Sequence, residues 1–262
     1  MDDRIDAARA YVEALRTGDR SAAQAAAGFL AKDIVVQVGE RRLEGHDEAL
    51  KRITGVWPLT PVYRKGTWSD PRAEDGCVKV TGQMAPVGFG PATVNLSFWF
   101  NDSDLIARVE QKNLMTQPLV QTDVLPDFVK ERVANALAND TPICVAYVDE
   151  QSRPHLSLRG SVQVFSDTQI SMWIRSGQGG LAEAIESNPN MSLLYRDNQT
   201  RSSLTFQGQA HIDADEEVRR RVFESSPEVE QNHESWTTGV AVIVDVHQVD
   251  GATPEGRVRI RR

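Results

Sequence analysis

The stretch RPHLSLRGSVQVFSDTQISMWIRSGQGGLAEAIESNP, residues 153–189, carries the reading of the fold. Residues 156–165 predict an extended strand containing Arg159, which turns at Ser166-Asp167. A second strand returns over residues 169–175 and ends in Ser176-Gly177-Gln178-Gly179-Gly180. A helix then opens at Leu181 and closes at Asn188-Pro189. A Gly-rich strand exit before a helix N-terminus leaves backbone N–H groups without partners, here with Arg159 and Arg175 on either side. That is a place to hold a phosphate. The alternative is an ordinary strand–turn–helix whose glycines serve only the turn.

Composition bounds the rest. At 262 residues the chain has room for two domains of ordinary size. Hydrophobic residues make up 40% and charged residues 25%, an ordinary globular mixture. The net charge of -8 lacks the basic footprint of a nucleic-acid binder, so no nucleic-acid partner is expected. The basic ending Arg257, Arg259, Arg261, Arg262 reads as a solvated terminal strand or tail. No apolar run approaches the roughly 20 residues that span a bilayer, so no membrane partner is expected. MDDRIDAARAYVEAL is charged and helical in period, unlike a signal peptide, which points to the cytoplasm. Cys77 and Cys144 each sit alone in strand-like runs and read as buried thiols. His46, His155, His211, His233 and His247 show no metal-ligand spacing, so no metal site is expected.

The chain reads as α+β in two parts. Residues 1–115 start with Ile5, Ala8, Tyr11, Val12 and Leu15 at helical spacing, ended by Gly18. An Ala-rich helix over 21–30, a strand over 34–38 and a helix over 46–53 follow. Strands are then expected at 62–68, 76–83, 93–100 and 105–111, the last two joined through a turn at 101–104. Helices first and strands later predict an α+β cone with a curved antiparallel sheet. Residues 116–124, with Pro118, read as a linker. Residues 125–252 predict a helix at 128–137, six short strands and a further helix at 215–224. That order points to a small closed barrel with flanking helices. Residues 253–262 are left as the basic tail.

The second half resembles the pyridoxamine 5'-phosphate oxidase-like flavin-binding split barrels. The resemblance is carried by TPICVAYVDEQSRPHLSL, the strand ending WIRSG, the helix ending ESNP, the strand MSLLYRD and the strand TRSSLTFQGQAHI. It implies a six-stranded split β-barrel, flavin mononucleotide (FMN) in a groove between two subunits, and a homodimer. Some relatives use a deazaflavin, some bind haem, and some have no known chemistry. The family's ring-contacting strand falls on His155, Leu156, Ser157, Leu158, Arg159 and Gly160. The next strand end falls on Ile174, Arg175 and Ser176, and Trp173 precedes it. The Ser–Arg–Lys phosphate cluster falls on Gly179, Gly180 and Leu181, so both its cations are missing. A charge-assisted hydrogen bond contributes about 1.5–3 kcal/mol. Two lost without replacement would weaken phosphate binding roughly a hundredfold to ten-thousandfold. Either Arg159 and Arg175 take over, or backbone N–H groups hold the phosphate, or the cofactor differs. A polar strand position falls near Ser202-Ser203. Arg201 is a candidate beside the flavin or its substrate. EVEQNHESW, residues 228–236, falls where the family places substrate-facing loops, which makes His233 and Trp236 substrate candidates; an exposed polar loop is the alternative.

The first half resembles the SnoaL-like and steroid-isomerase-like cone folds of the nuclear-transport-factor type. FLAKDIVVQVG and LEGHDEALKRI carry that resemblance. In such isomerases a strand carboxylate is the general base, and it falls near Gln37, whose amide cannot accept a proton. Trp57, Tyr63, Trp68 and Trp99 are expected either to line a hydrophobic pocket or to fill the core, and Glu110 is a candidate acid at its mouth.

Three functions therefore compete. The first is an FMN-dependent oxidoreductase acting on a small molecule. The second is a non-catalytic cofactor- or small-molecule-binding protein. The third is lyase or isomerase chemistry in the first half.

Overall fold

The computed structural model describes residues 2–54, 60–233 and 235–262. Trp57 lies outside the described residues. The chain divides into two compact units, Met1–Pro86 with Pro91–Gln117, and Val87–Gly90 with Pro118–Arg262.

In the first unit, α1 (Asp2–Thr17) buries Ala7, Ala8, Tyr11, Val12, Ala14 and Leu15, which recur at helical spacing. Gly18 ends it in the left-handed region at φ 63°, returning its N–H to the Ala14 carbonyl at 2.8 Å. Then come α2 (Arg20–Ala27), β1 (Leu30–Val38), β2 (Arg41–Glu44), α3 (His46–Ile53) and α4 (Thr60–Arg64). β3 (Thr67–Trp68), β4 (Arg72–Glu74), β5 (Cys77–Met84), β6 (Ala92–Phe100) and β7 (Ile106–Met115) complete it. Among the described residues the sheet order is β2-β1-β7-β6-β5-β3, with β4 against β5.

The expected antiparallel sheet is in fact mixed, because β1 and β7 run parallel. A parallel pair needs a long crossover, and all the intervening elements supply it. Residues 62–68, expected as one strand, split into α4 and the short β3. Tyr63 explains the change: it turns inward, is buried, and joins a polar cluster. β4 adds a strand to those expected; it arises from a hairpin through Asp75-Gly76, both at positive φ, between the pair Glu74 and Cys77.

Inside this unit Arg52 is only 5% exposed. Its Nη2 donates to Tyr63 Oη at 3.1 Å and to Gln111 Oε1 at 3.0 Å, and Gln111 Nε2 donates to Tyr63 Oη at 2.9 Å. Trp68 packs on the core and its Nε1 donates to the Tyr63 carbonyl at 3.2 Å. Trp99 takes the opposite side of β6 from buried Phe98 and lies under Arg108 at 4.8 Å, so it does not line an interior. Gln37 and Glu110 pair in register on the outer side, while their neighbours Val36 and Val109 are buried. Gln37 donates to the Gly39 carbonyl at 2.6 Å, and Glu110 lies beside Lys112 at 3.5 Å. Neither occupies the inward position that a general base in a cone would need.

Tyr11 meets Phe98 edge-on at 5.3 Å, and burial pushes its pKa up to about 12 from 10.0. Unfolded Tyr11 ionises first, so the folded unit loses stability as pH rises from 10 toward about 12. Tyr11→Phe should remove about 2–3 kcal/mol of that fall. Urea unfolding of parent and variant across this pH range measures it.

The second unit contains β8 (Leu119–Gln121), α5 (Asp127–Ala134), β9 (Ile143–Val148), β10 (Pro154–Arg159), β11 (Gln163–Val164) and β12 (Gln169–Ile174). It continues with α6 (Gly180–Ser187), β13 (Asn190–Asp197), β14 (Ser202–Asp213), α7 (Glu216–Ser225), α8 (Glu228–Gln231), β15 (Val240–Ala252) and β16 (Arg257–Arg261). Asp215 caps α7, accepting from the N–H groups of Glu217 and Val218. Among the described residues the sheet order is β10-β9-β13-β14-β15-β12-β11, with β16 against β15 and β8 against β16.

Residues 156–165 are not one strand. β10 pairs with β9, and β11 pairs with β12, at opposite ends of the sheet. Gly160, Ser161 and Val162 carry the chain across, with Val162 buried and Ser161 Oγ donating to the Trp173 carbonyl at 2.9 Å. Arg159 therefore does not lie on a strand paired with residues 173–175. The sheet curls until its ends are adjacent, yet among the described residues no ladder joins β10 to β11, so the expected closed barrel is open. β11 is too short to extend the pairing.

The segments read as linker and tail contain β8 and β16, which pair in parallel. RVRIR alternates, placing Val258 and Ile260 in the core and the arginines outward. Residues 203–210 belong to β14, which has β13 and β15 on either side. The core follows the alternating pattern of every strand: Ile170, Met172 and Ile174 of β12 face one cluster, while Trp173 faces a second with Val222, Ala241 and Ile243. Ile260→Ala should cost about 2–5 kcal/mol in chemical unfolding. Arg259→Ala, which loses only an exposed ion pair with Asp250, should cost about 0–1 kcal/mol.

Candidate functional site

At the split, where β10 gives way to β11, a cavity of about 470 Å³ opens. β10 and the crossing supply Leu158, Arg159, Gly160 and Ser161. The end of β12 supplies Trp173, Ile174, Arg175 and Ser176, and the start of α6 supplies Gly179, Gly180 and Leu181. Most of the predicted cofactor residues thus meet in one place. The route is different from the one expected: Arg159 arrives from the far end of the sheet rather than from a neighbouring strand. Arg159 Nε is buried without a hydrogen-bond partner. An unpaired buried donor is costly, and a ligand acceptor would relieve it. Trp173 is buried edge-on against Phe223 at 5.2 Å, and its Nε1 is also unpaired.

Tyr147 and Glu230 also line this cavity, and neither was a sequence candidate. Glu230 Oε2 accepts from Arg175 Nη2 at 3.2 Å. A Cβ built on Gly160 would overlap Glu230 Oε1. The carboxylate of α8 thus sits against the crossing and neutralises one of the two arginines. The acidic run EVEQ was the available signal, but its partner lies 55 residues away in sequence.

His155 and Leu156 line a second cavity of about 560 Å³, together with Tyr147, Met191, Gln207 and His247 among others. Tyr147 is shared by both cavities. Its ring stacks on His155 at 5.0 Å and 7°. His155 Nε2 donates to Asp149 Oδ2 at 2.9 Å. Asp149 also accepts from the backbone N–H groups of Gln151 and Arg153 and from Arg153 Nε, tying up the loop between β9 and β10. The hydrogen bond from His155 is the largest influence holding the Asp149 carboxyl well below the usual carboxylate range.

The remaining candidates lie elsewhere. Ser157 shares the His155 and Arg159 face of β10, with its Oγ buried and unpaired. Ser203 pairs with Arg196 in the ladder and abuts Gly88. Arg201 holds the turn before β14 at φ 62°, its carbonyl accepting from the Gly88 N–H at 3.2 Å. His233 is exposed, and Trp236 lies under the Arg220 guanidinium at 4.8 Å. Neither lines either cavity. Among the described residues no group of three His, Cys, Asp or Glu could hold a metal, and no helix is long and apolar enough to cross a membrane.

No family model matches the chain, and no curated protein matches it. Solved structures similar to part of it include Group A Streptococcus HupZ, at 17% identity and TM-score 0.40 over 49% of this chain and 94% of that one. Another is a Clostridium acetobutylicum protein related to general stress protein 26, of the pyridoxinephosphate oxidase family. It shows 9% identity and TM-score 0.38 over 50% of this chain and 95% of that one. A Silicibacter pomeroyi protein with a cystatin-like fold matches at 17% identity and TM-score 0.35, over 42% of this chain and 74% of that one.

The depressed Asp149 carboxyl contributes stability above the unfolded value of about pH 4, and that contribution is lost as pH falls. Asp149→Asn should therefore lower the thermal midpoint near neutral pH, and the gap should shrink as pH falls from about 5 toward 2. Thermal melts at stepped pH read this directly.

Proposed function

We propose that the second unit is an FMN-binding split barrel and that the protein is an oxidoreductase acting on a small molecule. The observation that carries this reading is the convergence of Arg159, Arg175 and the α6 N-terminus on one cavity of about 470 Å³. That volume lies within the usual range for small-molecule sites. The residues fit a phosphate-bearing group: Arg159 Nε is buried and unpaired, and the start of α6 lines the same cavity. Arg159 and the backbone of Gly179, Gly180 and Leu181 would take the phosphate. Ile174 supplies apolar wall. When bound, a flavin supplies hydride transfer, and the protein supplies binding, orientation and electrostatics.

A second copy of the chain is part of this proposal. β10 ends the sheet, and its outward Leu156 and Leu158 are 75% and 67% exposed. In register beside Leu158 lie Cys144 and Leu194, so one side of the sheet is apolar at this end. A partner covering it would bring a second chain close to both cavities. A monomer at micromolar concentration in light scattering would refute the homodimer.

One observation favours a non-catalytic binding protein instead. Arg175 is already neutralised by Glu230, and the helix start carries Gly179, Gly180 and Leu181 where the family resemblance implies cations. Mass spectrometry of the compound released on denaturation separates the readings: FMN supports the first, and a non-flavin compound supports the second. For the first reading, Arg159→Ala should weaken FMN by about 1.5–3 kcal/mol, roughly 10- to 150-fold, and leave riboflavin unchanged. Equal loss for both ligands, or binding of neither by the parent, would remove the site assignment.

A further inference from the structure

We propose that Glu230 is an internal anion that competes with the ligand, carried on a latch formed by α8. The inference rests on the anion-site reading above and goes beyond it by assigning what controls access to that site.

Three observations converge on it. The first is the pair itself: Arg175 Nη2 and Glu230 Oε2 meet at 3.2 Å in the wall of the cavity, with side chains 50% and 23% exposed. A carboxylate therefore already accepts the hydrogen bond that a phosphate oxygen would accept. The second is Gly160. Its backbone is outside the left-handed region, so no turn requires glycine there. What a side chain would strike is the Glu230 carboxylate, with Leu137 Cδ2 next at 3.0 Å. Glycine at this point makes a seat for the carboxylate. The third is the weakness of the carrier. α8 has no buried residue and Val229 points to solvent. Beyond the Arg175 pair, Gln231 Nε2 ties the segment to the Ser226 and Glu224 carbonyls, at 2.7 and 3.1 Å. A segment with so little buried surface opens at low free energy.

The consequence is a charge threshold. A ligand gains Arg175 only by displacing Glu230, so its apparent affinity is reduced by the fraction of molecules in which the latch is closed. A doubly charged phosphate monoester competes well against one carboxylate. A neutral ligand of the same shape neither displaces Glu230 nor gains from its removal.

The test is titration of the full-length protein with FMN and with riboflavin, followed by flavin fluorescence. Glu230→Gln should tighten FMN roughly three- to tenfold and leave riboflavin unchanged. Gly160→Ala should tighten FMN relative to riboflavin by pushing the flexible carboxylate off its seat. In an Arg175→Ala background, Glu230→Gln should have no effect on FMN. Glu230→Gln keeps the side chain's shape, so the test stands even if Gly160→Ala folds poorly. Equal changes for FMN and riboflavin would mark Glu230 as merely structural and overturn the latch. A parent that prefers FMN, with no gain in Glu230→Gln, overturns the latch but keeps the anion site. If neither parent nor variant distinguishes FMN from riboflavin, both fall together.

Discussion

Gly160, Ser161 and Val162 are all that separates the two end strands of the second sheet. That short step is the constraint on which the rest of the unit depends. A chain that leaves one end of a sheet and enters the other within so few residues forces the sheet to curl back on itself. Curling gives it an inside, filled by Ile143, Val145, Met172, Leu193, Phe206 and Val244. It also leaves a seam, because the ladder is not closed there. The first cavity sits at that seam, between the end of β10, the end of β12, the opening turn of α6 and the carboxylate of α8. The cavity lies where the sheet fails to close on itself.

The seam also explains why its polar groups are poorly satisfied. Along a continuous ladder, side chains sit in fixed rows and find cross-strand neighbours. At the seam, Arg159 and Ser157 face the interior from a strand with a neighbour on one side only. Their buried Nε and Oγ are left without partners. Arg175, leaving β12 at the same seam, finds its partner in a helix rather than in the sheet.

The sequence was most readable where local pattern and tertiary role agree. The helix at His46–Ile53 has the extent expected, since its helical spacing coincides with what it buries. It misled where a tertiary decision overrode local pattern. Nothing in LSLRGSVQVF says that the chain changes sheet ends at Gly160, because both halves alternate as a single strand would. Tyr63 favours a strand by propensity but turns into a helix to reach Arg52 and Gln111. RVRIR reads by its charge as a solvated strand or tail, whereas its alternation buries Val258 and Ile260. For the site, the Gly-rich exit and both arginines were visible, whereas Glu230 was not: an acid in a polar loop shows no sign of which distant cation it will find.

The pairing of β8 with β16 has a consequence for how the molecule assembles. β8 is the first strand of the main segment of the second unit, and among the described residues its strand partner is β16 alone. During synthesis, Leu119–Gln121 emerges early and has no ladder to join until residues 257–261 have been made. The separation is nearly the whole length of the unit, so this contact closes one of its longest loops. Until then both Val258 and Ile260 are missing from the interior, and β15 presents an unpaired edge along Gln248 to Ala252. A nascent chain in that state is the form most exposed to wrong pairing with its neighbours on the same message.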